Sequence, residues 1–205
     1  MDDTPTTPTF APTSRLNFVI GISAMVVSLA SLYATFLQAG SAERQVKAMT
    51  YPLVQYSSGN YDVDKQEQAL SMRLINNGVG PAIIHSTRYL YGDEPVDGVY
   101  GFIRACCLET AEAFRSQNRS DPSASIITST DRNVILPANE DIDIFYLLRR
   151  PENEELWELL NRERRKLGVT VCYCSLLDEC YESPGQAAVR EVESCPTRED
   201  GVTAE

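Results

Sequence analysis

The sequence predicts an N-terminal transmembrane helix followed by a mainly-β domain, an immunoglobulin-like β-sandwich or an α+β variant, with two inserted helices. Three observations carry this. No charged side chain lies between Arg15 and Glu43, and about 20 apolar residues in a helix cross a bilayer core of about 30 Å. Residues 52–183 hold short runs of alternating apolar and polar residues, separated by Gly, Pro, Asn and Asp, the pattern of strands and tight turns. Two stretches, 99–116 and 151–168, replace that alternation with helical spacing.

Residues 1–15, rich in Thr and Pro, form a polar tail that cannot bury a core. The span covers 16–37. A secretory signal would need a basic start and a shorter apolar centre, whereas this chain begins Met1-Asp2-Asp3. Ala39-Gly40-Ser41-Ala42 imitates a cleavage site, but the stretch reads as a retained anchor. Gly21, Ala24, Ser28, Ser31 and Thr35 recur at spacings of 3, 4, 3 and 4, a seam of small residues. Such a seam allows helix backbones to approach closely in lipid. Phe18, Ile22, Met25, Leu29, Leu32 and Phe36 form a bulky stripe beside it. Residues 38–51 read as a helical stalk interrupted only by Gly40, and Pro52 ends it.

Within the domain, strands are expected over 53–57, 69–76 and 82–91. The turn Asn76-Asn77-Gly78-Val79-Gly80-Pro81 joins the last two, since Asn and Gly tolerate tight turns and Pro fixes the exit. Residues 92–98 are a second turn cluster. A helix over 99–116 places Val99, Phe102, Ile103, Cys106, Ala113 and Phe114 inward. Short strands over 126–130 and 133–136 precede a strong one over 141–148. Pro151 starts the second helix at its first turn, acidic residues gather at its beginning and basic ones at its end, and Gly168 is expected to terminate it. Residues 169–176 and 180–182 make a final hairpin, and 184–205 a loose acidic tail.

The formal net charge of −11 and pI of about 4.6, in a domain without a basic stripe, make for a poor binder of nucleic acid. The same charge makes the surface equally poor at clinging to anionic lipid, so contact with the bilayer rests on the helix. Arg15 faces Arg44 and Lys47 across the span, which leaves orientation tied. The even count of six cysteines tilts it toward the extracytoplasmic side.

Cys172 and Cys174 share one strand face, and a turn through 175–179 brings Cys180 opposite Cys174. A Cys174–Cys180 disulfide or buried thiols satisfy that arrangement. Metal is disfavoured, because structural zinc commonly uses Cys-x₂₋₄-Cys pairs and Cys172-Tyr173-Cys174 is tighter. Cys106 and Cys107 point to different helix faces, one buried and one partly exposed. Cys195, in the loose tail, is available for an interchain bond. His85 is the chain's one histidine, mid-strand, and any Ser-His-Asp triad would have to use it. Asp141 and Asp143 read as a solvated rim, and Ser129-Thr130-Asp131 as turn chemistry. No nucleophile elbow, P-loop or dinucleotide fingerprint occurs. Neither catalytic residues nor a cofactor is expected. Asn118-Arg119-Ser120 matches a glycosylation acceptor.

The stalk Glu43-Arg44-Gln45-Val46-Lys47-Ala48 ends near Pro52. Together with Leu74-Ile-Asn-Asn-Gly-Val-Gly-Pro-Ala82 and Cys172-Tyr-Cys-Ser-Leu-Leu-Asp-Glu-Cys180, it resembles a group of uncharacterised bacterial single-span membrane proteins. The resemblance covers most of the chain between Asn17 and Tyr181 and implies a small β domain on a membrane anchor, expected in the bacterial inner membrane. It transfers no active or binding residue. The function expected is a non-enzymatic interaction or assembly module, whose span pairs with a second copy or a partner's helix. A sensor or effector subunit of bacterial defence or stress is the alternative, and thiol chemistry at 172–180 the third.

Overall fold

The computed structural model describes residues 14–117, 126–185 and 188–196. The expected N-terminal tail, except Ser14 and Arg15, and the triplet at Asn118 lie outside these residues. The chain divides into two compact units, 1–46 and 47–205.

The first unit is dominated by helix α1, Ser14–Met49, 36 residues long. Its most apolar 18-residue window has a mean hydropathy of 1.9. By length and composition α1 can cross a membrane. The stalk simply prolongs the helix, and Gly40 does not interrupt it. Ser23, Ser28, Thr35 and Ser41 each donate a hydroxyl hydrogen bond to the carbonyl four residues earlier, at 2.7–3.0 Å. These bonds leave the hydroxyls satisfied where water is absent.

Among the described residues, the second unit holds two antiparallel sheets and two α-helices. Strands β1 (Val54–Gly59), β2 (Ala69–Asn76) and β6 (Asp141–Leu148) form a three-stranded sheet in the order β1-β2-β6. The second sheet runs β4-β3-β7-β8-β9, with β5 also paired to β3. Its members are β3 (Ala82–Tyr91), β4 (Glu94–Val96), β5 (Val134–Leu136), β7 (Leu167–Cys174), β8 (Cys180–Pro184) and β9 (Arg190–Val192). Its outer strands, β4 and β5 beside β3 and β9 beside β8, have three residues each, and β4 and β9 carry Glu94, Pro95, Arg190 and Glu191.

Helix α2 (Gly98–Gln117) packs on β3 and on helix α3 (Glu154–Glu163). Val54, Leu70, Met72 and Leu74 from the first sheet share one core with Ile84, Val171 and Tyr173 from the second and with Phe102, Leu156 and Leu160 from the helices. Burial of this apolar area supplies the main drive to fold.

Several expectations need correction. Residues 126–130 form no strand; Ile127 makes a single bridge to Tyr146. The turn cluster at 92–98 contains β4, too short for its alternation to be read. Gly168 lies inside β7, and a 3₁₀ turn at Arg164–Lys166 ends α3 instead. The residues facing inward on α2 are Val99, Phe102, Ile103, Cys107, Ala111 and Phe114. Cys107 and Ala111 thus replace Cys106 and Ala113, because the backbone leaves helical geometry at Cys107 (φ −145°, ψ 22°). The expectation of a loose tail from 184 onward fails for residues 188–196, which supply β9 and a bonded Cys195.

Candidate functional site

The two most distinctive sequence motifs meet on one segment, residues 47–53, which joins the end of α1 to β1. Asn76 is fully buried at the end of β2. Its Oδ1 accepts hydrogen bonds from the backbone N–H of Leu53 and of Gly78, both at 3.0 Å. Its Nδ2 faces the carbonyls of Gly80, Pro137 and Leu136 at 2.8, 3.0 and 3.2 Å. The turn that follows continues the grip: Asn77 N–H donates to Leu53 O at 2.8 Å, and Val79 and Gly80 N–H to Tyr51 O at 3.0 and 3.2 Å. A Cβ on Gly78 would strike Leu53 N and Tyr51 O, and one on Gly80 would strike Thr50. Glycine is required here for backbone-to-backbone approach.

The β7–β8 hairpin holds the same segment from another side. Tyr181 meets Tyr51 edge-to-face at 5.1 Å between centroids, a favoured ring geometry. Lys47 Nζ lies 2.5 Å from Glu179 Oε1, and the Tyr181 hydroxyl donates to Glu179 Oε2 at 3.1 Å. Burial first, then the Glu179 carboxylate, raises the Tyr181 phenol above its ordinary range. Burial likewise pushes Tyr173 up to about 12. At the hairpin tip Ser175 Oγ accepts from the N–H groups of Leu177 and Glu179, at 3.1 and 3.3 Å, and Asp178 takes a positive φ of 60°.

Four sulfurs collect on the ladder above this tip. Cys174 and Cys180 are directly paired across β7 and β8 and joined by a disulfide, with Cα atoms 4.0 Å apart. Cys172, two residues back on β7, is joined to Cys195, with Cα atoms 5.5 Å apart. Cys195 Sγ also lies 3.9 Å from Cys174 Sγ. The third disulfide links Cys106 to Cys107. Independent side chains at these two positions were expected; the non-helical backbone at Cys107 lets the neighbours meet.

The other marked residues lie elsewhere on the second unit. His85 is exposed on β3. Asp141 and Asp143 each pair with Arg73 at 3.2 Å, and burial raises Asp143 above the usual carboxylate range. Asp131 accepts the Tyr89 hydroxyl and lies 3.5 Å from Arg132 Nε, within a 220 Å³ cleft also lined by Asp97, Tyr100 and Arg104. Arg132 reaches Asp97 as well. A larger groove of 480 Å³ runs along the outside of α2 past Tyr100, Ile103, Leu108 and Glu112.

Sequence reasoning recognised the turn and the hairpin as unusual but missed that both clasp one segment. The signal was Asn76 itself, an amide placed where the β2 pattern needs an inward residue. The Cys172–Cys195 link was missed because Cys195 was assigned to the tail. No family model, curated protein or solved structure matches this chain.

Proposed function

We propose that this chain is a single-pass protein of the bacterial inner membrane, of the single-span group it resembles, and that it acts as a non-enzymatic interaction or assembly module. In this reading α1 crosses the bilayer and pairs through Gly21, Ala24, Ser28, Ser31 and Thr35 with a second copy or a partner's span. The observation that carries it is α1, whose apolar window is wholly exposed while the Ser28 and Thr35 hydroxyls are bonded to its own backbone. Such a face loses no hydrogen bond when another helix packs against it. The soluble unit is read as an immunoglobulin-like sandwich with α2 and α3 inserted, supported by the core its two sheets share. The side follows the cysteines: disulfides belong outside the cytoplasm, thiols within it.

Crosslinking of the full-length protein in detergent tests the seam. Oligomer bands are expected for the wild type and should fall severalfold in Ser28→Leu and Ser31→Leu. An unchanged monomer in all three forms removes this reading.

The second reading, a sensor or effector subunit coupling the β domain to its span, is favoured by the grip on residues 47–53. Hydrogen bonds, an ion pair and an aromatic contact leave no slack between Lys47 and β1. Membrane depolarisation on overexpression supports it, and a silent membrane counts against it.

A further inference from the structure

We propose that Cys172, Cys174, Cys180 and Cys195 form a four-thiolate zinc site when the protein is reduced. The inference stands apart from the assembly reading and rests on the second unit alone.

Placement makes the case. Strand geometry puts Cys172 and Cys174 on one face of β7, and the ladder sets Cys180 beside Cys174. β9 pairs with β8 through Val192 opposite Cys180, so the chain returns with Cys195 over the same face. Tyr173, between the two β7 cysteines, points into the core and is fully buried. The sulfurs of Cys174, Cys180 and Cys195 all lie within 4.8 Å of one another. Cys195 Sγ is bonded to Cys172 and 3.9 Å from Cys174 Sγ. Tetrahedral zinc with Zn–S of about 2.3 Å needs sulfurs about 3.8 Å apart. The spacing between the two disulfides already has that size, and each bonded pair needs only to part once reduced. Cys172, Cys174 and Cys180 are buried, which favours a closed structural site over an exposed one.

The tight Cys-x-Cys spacing disfavours metal when both ligands come from one loop. On a strand the two side chains are neighbours on one face, and the partners come from β8 and from the segment after β9.

The chemistry balances with a dithiol as reductant. Each disulfide takes up two electrons and two protons from one dithiol, which becomes a cyclic disulfide. The four resulting thiols release four protons as four Zn–S bonds form, and metal uptake is therefore favoured as pH rises.

The test uses the full-length protein in detergent, reduced with a dithiol and equilibrated with zinc sulfate, then freed of excess metal. Metal analysis should give about one zinc per chain, and four cysteines should resist alkylation until a chelator is added. Cys195→Ser and Cys180→Ser should each lower zinc retention at least tenfold, whereas Cys106→Ser should leave it unchanged. Circular dichroism confirms that each variant is folded. The proposal is overturned if reduced, folded wild type retains no zinc, or if its six thiols alkylate equally fast with and without the metal. Zinc lost equally in Cys106→Ser also overturns it.

Discussion

Asn76 shows how much one side chain can organise. An amide has one carbonyl oxygen and two N–H donors, and here it serves the two strands' ends, the turn and the chain leaving α1 at once. Asn76→Ala strands Leu53 N–H and Gly78 N–H together with carbonyls that lose their donor, in a site closed to water. The expected loss is about 3 kcal/mol, read as a lower denaturant midpoint with an unchanged slope. Gly80→Ala should lower the midpoint too, through collision with Thr50 rather than through lost hydrogen bonds. A midpoint unchanged in Asn76→Ala would show that the amide merely fills space. The sequence displayed this site only in part. Asn-Asn-Gly-Val-Gly-Pro announces a turn through local preference, but the segment it holds lies more than 20 residues earlier, and local preference carries no such information.

At the level of elements, strong alternation was legible and short or composite pieces were not. β2, β3 and β6 declared themselves because each has at least eight residues, enough for the period to show. β4 and β9 have three each, too few for any period, and are strands only because β3 and β8 hydrogen-bond them. The inward face of α2 was misjudged beyond Cys106, since a steady helical phase does not survive the break at Cys107. The end of α3 was misplaced for a related reason: a glycine that looks like a helix stop serves as a strand residue once a 3₁₀ turn has intervened. That turn also builds a titratable joint. Glu163 accepts from Lys166 Nζ at 2.6 Å and from the Tyr91 hydroxyl at 2.5 Å, so α3 is tied to β3. Lys166 first, then Tyr91, holds its carboxyl down at about 2, against an ordinary 4.5. A depressed carboxylate stabilises the fold above the unfolded value and loses that contribution as pH falls through the folded one. Thermal melts should therefore show wild type exceeding Glu163→Gln above about pH 4.5, with the gap closing toward pH 2. A gap independent of pH would assign the difference to packing.

For the molecule as a whole, the acidic composition and the uncharged stretch of α1 between Arg15 and Glu43 demand different surroundings. The chain's net charge of −11 disfavours electrostatic attraction to anionic lipid, and α1 offers an exposed apolar surface that water disfavours. The full-length chain is expected in the membrane fraction through high-salt and alkaline washes, and to leave it only with detergent. Release by salt alone would mean that α1 does not span.

The edges of the larger sheet bear on how copies could meet. An open sheet invites a neighbour's strand wherever a long, bare row of backbone donors and acceptors is left over. Here every outer strand, β4, β5 and β9, is clipped to three residues; proline blunts β4, and a guanidinium beside a carboxylate guards β9. Strand-to-strand zippering along that sheet is thereby discouraged, and any company the protein keeps must be sought by another route.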